Sequence, residues 1–261
     1  RGHRTRESDL NPDEIIKTPL FIGVQTNHFG KGVKVGGRKY PERIYNSAAL
    51  IDSDGTISGL YDKLYLVAFS EKIPLYDTLS RIDSLKKQFR RRRMSNFTAG
   101  TEAIAFKFGK YRLGPAVCFE DILPEHGRRM AAEKPNVFIN ITNDAWFGAT
   151  AEPYQHLALA VFRTIEHRRP MVRAVNTGTS TFIDAAGRIT VQTPSVDPPP
   201  LPKKKGNPLA NVRAAPLKKL RKGVWQSSAW PQPYVLMEDV AMMPHTTTIY
   251  AAVGWLFGWV C

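Results

Sequence analysis

Residues 125–142, EHGRRMAAEKPNVFINIT, and residues 152–176, EPYQHLALAVFRTIEHRRPMVRAVN, decide the fold class. Residues 125–133 read as a helix stopped by Lys134-Pro135, because proline donates no amide hydrogen and disfavours helix in the residue before it. The run from Val137 to Thr142 is apolar and of strand length. Over 152–167, Leu157, Ala158, Val161, Phe162 and Ile165 recur at helical spacing, which predicts a helix with one buried face, ended by Pro170. Two more strands are expected at 171–176 and 180–184, the second closed by Ala186-Gly187. Helices and strands alternating in this way bury their apolar faces as layered α/β packing.

Working outward, residues 19–25 form a short apolar strand pattern before a Gly-rich turn near residues 30–37. Residues 45–52 predict another strand, closed by the Asp52-Ser-Asp-Gly turn, with 56–61 as its hairpin partner. A second hairpin is expected where 103–108 is followed by Gly109-Lys110 and then 111–118. The α/β domain is therefore placed at 18–192, after a polar segment at 1–17.

The 261 residues, 43% of them hydrophobic, suffice for one large domain or two small ones. A net charge of +14 is strongly basic, but the cations are scattered and form no aromatic-plus-basic stripe, so a nucleic-acid partner is not expected. Two cysteines, Cys118 and Cys261, exclude a disulfide-stapled scaffold. Without CxxC, a Cys/His cluster or HExxH, neither a metal nor a cofactor is expected.

Three further segments stand outside the α/β pattern. Lys86-Lys87 and Arg90 to Arg93 read either as a solvated loop or as an attraction to an anionic membrane surface. Residues 193–245 read as a basic, proline-rich extended segment, in which Trp225 and Trp230 either anchor at an interface or pack back on the domain. Residues 246–261 end in IYAAVGWLFGWVC, shorter than the roughly 20 residues of a membrane span. That tail is either a buried C-terminal element or the start of an interrupted transmembrane helix. The chain opens at Arg1 and reads as a piece cut from something longer at its N-terminus.

The chemistry turns on Cys118, which closes a strand pattern where a side chain can reach the rim of a sheet. A lone cysteine is either an inert buried thiol or a nucleophile, and the second needs a base or a neighbouring cation. His126 is close in sequence, yet nothing pairs it with the thiol. Lys63, in the apolar setting LYDKLYLV (60–67), is the better candidate, because an amine in such surroundings requires a partner.

YDKLYLVAFSEKIP (61–74), AVCFEDI (116–122) and NITNDAWFG (140–148) resemble the nitrilase, or carbon–nitrogen hydrolase, superfamily. EPYQHLALAVFRTIEHRRP (152–170) and RAVNTGTS (173–180) are similar to its apolipoprotein N-acyltransferase branch in particular. The resemblance implies a four-layer α-β-β-α sandwich, here expected to be incomplete, attached to membrane helices and facing the periplasm from the bacterial inner membrane. It implies Cys118 as nucleophile and Lys63 as its catalytic partner, with Glu71 and Glu120 as supporting carboxylates. Asn143, Asp144 and Trp146 are expected to shape a pocket wall. The implied reaction moves a fatty acyl chain from a phospholipid through a cysteine thioester to the amine of a diacylglyceryl-cysteine apolipoprotein.

Three departures bear on that reading. The family's general-base Glu lies in a strand before residue 19 that this chain does not show, and Glu7 and Glu14 match nothing. Ala68-Phe-Ser-Glu71 stands where the family has Pro-Phe-Gly-Glu, and the insertion at 196–233 is unlike the usual compact ending. The alternatives are a soluble amidase using the same Cys and Lys on a small amide or carbamoyl compound, and an inactive homologue.

Overall fold

The computed structural model describes residues 18–30, 33–35, 38–40, 42–79, 81–82, 84, 96–147, 150–176, 178–193, 217–221, 224–227 and 234–253. The polar start with Glu7 and Glu14, the cationic run at 86–93, Trp230 and the tail beyond 253 lie outside them, as does most of 196–233.

Two sheets carry the domain. β1 (Leu20–His28), β4 (Arg43–Ile51) and β5 (Ile57–Asp62) form an antiparallel sheet in that order. Between its first two strands, β2 (Val33–Val35) and β3 (Arg38–Tyr40) pair as a small hairpin in the Gly-rich stretch. The second sheet has six strands: β6 (Phe106–Phe108), β7 (Tyr111–Val117), β8 (Val137–Thr142), β9 (Met171–Val175), β10 (Thr181–Ile183) and β11 (Ile189–Gln192), neighbours in chain order. The pairs β7–β8 and β8–β9 are parallel and the rest antiparallel. Parallel neighbours need a crossover, supplied by α2 (Pro124–Ala132) and α3 (Glu152–His167), whereas α1 (Tyr76–Leu79) is a single turn after β5.

The sheets meet face to face. β4 lies against β7, and β5 against β6 so closely that a β-carbon on Gly59 would stand 2.6 Å from the Phe106 ring. Ala48, Leu50, Tyr61, Phe106, Leu113, Val117, Phe138, Met130, Leu157 and Ala160 form one buried cluster spanning both sheets and both helices. β7 is buried from Leu113 to Val117, as a strand covered on both faces should be. The described residues thus build three layers, sheet, sheet and helix.

The expected helix at 152–167 forms, but its inward face differs from the apolar stripe predicted. Pro153, His156, Leu157, Ala160, Arg163, Thr164 and His167 are buried, while Ala158, Phe162 and Ile165 face outward and Val161 is half-buried. Two histidines and an arginine turn inward because each meets a partner. His156 meets Asp121, Arg163 meets the carbonyl of Ile122 and Glu166, and His167 stands edge-on to Phe138 and Tyr250.

The segment expected to be extended from 193 to 245 is in part ordered by pairing: β12 (Leu217–Arg221), β13 (Val224–Ser227) and β14 (Tyr234–Leu236) form an antiparallel meander. Residues 240–248 pack on the domain. Val240 and Met242 join the core, Met243 exchanges hydrogen bonds with Asn136, and Thr248 donates to the carbonyl of Glu166. Residues 249–253 are helical, and no helix among the described residues is long and apolar enough to cross a membrane.

Candidate active site

Lys63 follows the last residue of β5 on a segment fastened at both ends. Its N–H donates to the carbonyl of Asn46 (2.9 Å) and its carbonyl accepts from the N–H of Gly100 (2.8 Å). The side chain is fully buried and its Nζ donates to Glu71 Oε2 at 2.7 Å. It also stands 4.9 Å from the centre of the Phe119 ring. A buried ammonium costs several kcal/mol unless paired, and Glu71 supplies that pairing. Glu71 is itself held by the Asn46 amide (2.8 Å) and the Val67 N–H (2.9 Å).

β7 ends at Val117, and the chain turns at Cys118 with φ 56° before the 3-10 turn Cys118–Ile122. A side chain in this left-handed region costs about 1–2 kcal/mol, so the conformation persists only where its surroundings enforce it. Asn140, fully buried on β8, donates to the carbonyls of Cys118 (2.9 Å) and Ala116 (3.4 Å). Glu120 reaches back to accept from the Val117 N–H at 2.8 Å.

The other oxygen of Glu120 accepts from Tyr61 Oη (2.9 Å) and from the N–H groups of Leu64 (2.7 Å) and Tyr65 (3.1 Å). One buried carboxylate therefore ties the strand end that carries Cys118 to the segment that carries Lys63. Burial pushes Glu120 up to about 7 against those donors. His126 sits 3.1 Å from Tyr61 Oη, and burial lowers it to about 3, which keeps it neutral.

Burial pushes the Cys118 thiol up, while the charge of Lys63 and a hydrogen bond with Thr142 pull it down. The balance is upward, so the thiol holds its proton near neutrality until a base takes it. Glu71, whose charge also raises the thiol, is committed to Lys63, Asn46 and Val67. The arrangement pairs a thiol on a turn with a fixed ammonium, which suits attack on a carbonyl and stabilisation of the oxyanion that follows.

Behind the turn lies a second charged cluster. Arg173, fully buried on β9, donates to Asp121 Oδ2 and Asp144 Oδ2, both at 3.2 Å. His156 Nε2 lies 2.7 Å from Asp121 Oδ1 and its Nδ1 3.3 Å from Asp144 Oδ1. Burial alone would depress His156, but the hydrogen bond and charge of Asp121 and the nearby Asp144 carboxylate lift it to about 9. Burial likewise opposes the charge on Asp144, yet His156 and Arg173 hold it below the usual carboxylate range. Asp144, Glu152 and His156 bring their ligand atoms within 4.8 Å of one another, but the Arg173 guanidinium already supplies positive charge to Asp144. The cluster fits an ion-pair network better than a cation site.

Of the residues expected in the site, Lys63, Glu71, Cys118 and Glu120 come together. Asp144 is buried in the ion-pair network, where His156 and Arg173 pair its charge. Asn143 is exposed, accepting from the Ala145 N–H (3.1 Å) and the Asn176 amide (2.7 Å). The side chain of Trp146 lies outside the described residues. Sequence reasoning missed Asn140, Thr142, Tyr61 and His156. The first two sit at alternate positions of β8, and that alternation of polar residues in an apolar strand was the available signal.

The carbon-nitrogen hydrolase family model matches residues 24–197. Among curated relatives, the apolipoprotein N-acyltransferase of Geobacter metallireducens is 41% identical over 149 residues, 57% of this chain and 28% of that protein. Those of Bdellovibrio bacteriovorus and Rhizobium leguminosarum are 34% and 36% identical over 181 and 191 residues, covering 67% and 71% of this chain and 32% of each relative. The chain thus spans about a third or less of the length of these relatives. Among solved structures, a carbon-nitrogen hydrolase from Helicobacter pylori has a TM-score of 0.48 at 16% identity, over 70% of this chain and 60% of the other.

Proposed function

The chain belongs to the carbon–nitrogen hydrolase family, and on that premise we propose that it is the catalytic domain of an enzyme that N-acylates lipoproteins. The observation that carries this reading is the Lys63 ammonium, fixed on Glu71, acting on the thiol of Cys118 at its strained turn. The names of its curated relatives support the acyl-transfer chemistry.

In the proposed reaction a carboxylate outside the described residues takes the proton from Cys118, and Sγ attacks the ester carbonyl of a phospholipid. Lys63 stabilises the oxyanion of the tetrahedral intermediate. The C–O bond breaks, the lysophospholipid leaves as an alcohol with the proton, and a thioester remains on Cys118. The α-amine of a diacylglyceryl-cysteine apolipoprotein then attacks the thioester, an amide forms, and the thiol is regenerated. Glu71 orients Lys63, and Glu120 holds the two reacting segments together. The domain is placed on the periplasmic face of the bacterial inner membrane, where both substrates reside.

The test is to incubate the full-length parent protein in detergent with phospholipid and a synthetic diacylglyceryl-cysteine peptide. Mass gain of one fatty acyl chain on the peptide, lost with Cys118→Ala, is the expected result. Hydrolysis of small amides without acylation of the peptide would overturn the reading in favour of an amidase.

A further inference from the structure

The ion-pair cluster behind the nucleophile has no part in the chemistry described so far, yet it is anchored on the turn that carries Cys118. Asp121 lies three residues after Cys118 on the same 3-10 turn, and both of its oxygens are occupied, by His156 and Arg173. Asp144 accepts from Thr142 Oγ1 at 2.8 Å, and Thr142 is among the groups that pull the Cys118 thiol down. Asp121, Asp144 and Arg173 are each 1% exposed and His156 5% exposed, so water does not substitute for a missing partner.

The ring of His156 is what joins the two aspartates. Each of its nitrogens faces a carboxylate oxygen, Nε2 toward Asp121 and Nδ1 toward Asp144. A neutral imidazole donates from one nitrogen only and would turn a lone pair toward the other carboxylate. Nδ1 makes no aligned hydrogen bond, but 3.3 Å from Asp144 Oδ1 a protonated nitrogen is attracted where a lone pair is repelled, so electrostatics favours the doubly protonated ring. Arg173 from β9, Asp121 from the Cys118–Ile122 turn, Asp144 from a second 3-10 turn (Asp144–Phe147) and Glu152 one turn back on α3 (3.7 Å) are the charged groups around it. With His156 charged, the two buried carboxylates Asp121 and Asp144 are balanced by two cations, while Glu152 lies at the partly exposed edge; with it neutral, one of the two buried carboxylates is uncompensated.

We propose that His156 is a positioning residue for the nucleophile, an imidazolium that with Arg173 clamps Asp121 and Asp144, holding the Cys118 turn and keeping excess negative charge from its thiol. This role rests on the reading of Cys118 as the nucleophile, whichever acyl group it takes. Lys63, Thr142, the Phe119 backbone and Glu71 act on the thiol directly.

The test uses the full-length parent protein with His156→Gln, which removes the charge, and the double variant His156→Gln/Asp144→Asn, which restores the balance. Alkylation of Cys118 by iodoacetamide across pH, followed on the Cys118 peptide so that Cys261 does not contribute, reads the thiolate without requiring acyl transfer. For His156→Gln the midpoint is expected to rise by about one unit, a roughly tenfold slower alkylation at neutral pH. Its kcat for acyl transfer is expected to fall about tenfold with KM unchanged. The double variant is expected to return to within about 0.3 units of wild type.

A His156→Gln protein that melts lower yet keeps the wild-type midpoint, with kcat within about twofold, would overturn the proposal and leave His156 a packing residue. A double variant no better than the single one would overturn it too. Should His156→Gln not fold, the double variant carries the test, since a midpoint displaced by about a unit contradicts the charge balance. Midpoint shifts as expected with no acyl transfer by any protein would uphold the positioning role and sink the acyltransferase reading instead.

Discussion

Replacing Lys63 by Met removes a charge from a buried pair while keeping most of the side-chain volume. At the 2.7 Å separation from Glu71 the Coulomb attraction is about 6 kcal/mol at an effective dielectric constant of 20. Relief of the ammonium's desolvation offsets part of this, and breaking a buried pair typically costs about 3–5 kcal/mol. Glu71 retains the Asn46 amide and the Val67 N–H, which places the loss near the lower end, about 3 kcal/mol. For a chain of this size that lowers Tm by about 6–12 °C. With Lys63 in its proposed role as oxyanion partner, kcat is expected to fall by a further factor of about 10²–10³.

The double variant Lys63→Met/Glu71→Gln separates the two effects. The carboxamide introduced at position 71 turns its oxygen to the Val67 N–H and its amine to Asn46, whose own amide flips to accept. Most of the lost Tm should return and none of the lost kcat. Melting curves and lipopeptide acylation rates of the full-length proteins give the answer. A Lys63→Met enzyme with kcat within about threefold of wild type, or a double variant that recovers activity along with stability, would refute the catalytic role of Lys63.

Other outcomes follow from the same contacts. A β-carbon on Gly100 would stand 2.1 Å from the backbone oxygen of Asp62, so Gly100→Ala displaces the segment that holds Lys63; thermal melts should show a loss of about 2 kcal/mol or more, and acylation assays a lower kcat. His156 is raised to about 9, so its contribution of about 3 kcal/mol is full below pH 6.5 and lost as the pH rises through 9; urea midpoints across that window should fall in wild type and stay flatter in His156→Gln. His126 and His167 are lowered by burial to about 3 and 4, so their contributions are present above pH 6.5 and lost as the pH falls, opposed by Glu120, which is raised to about 7 and contributes most below pH 4.5. His167→Phe, which needs no proton, should therefore weaken the decline in urea midpoint between pH 6.5 and 4. Arg112–Glu133 is a half-exposed pair, and Arg112→Ala should move Tm by no more than about 2 °C.

Strands and helices with a local signature were legible in the sequence. The proline after Lys134 marks the end of α2 to within two residues, and the apolar run at 137–142 coincides with β8. The inward face of α3 was not legible, because its polar members are buried by partners distant in sequence: His156 meets Asp121 35 residues away. Arg173 meets Asp121 over 52 residues and Asp144 over 29. Apolar periodicity counts such residues as surface, and outward-facing Phe162 and Ile165 as core.

The same separation governs the site. Cys118 and Lys63 stood out singly, one as a lone thiol at a strand end and the other as an amine in an apolar run. The motif resemblance added Glu71 and Glu120, but the bridging role of Glu120 depends on contacts with Leu64 and Tyr65, 56 and 55 residues away, once the two sheets are stacked. Asn140 clamps the Cys118 carbonyl across the parallel pair β7–β8, a register no local pattern specifies.

Intact mass of the full-length parent protein after incubation with phospholipid, without acceptor, tests whether Cys118 carries the acyl group. A covalent increment of one fatty acyl chain, absent from Cys118→Ala and released by hydroxylamine as a thioester should be, is the predicted result. A folded wild-type protein that gains no such mass, or a Cys118→Ala protein that gains it equally, would contradict the account.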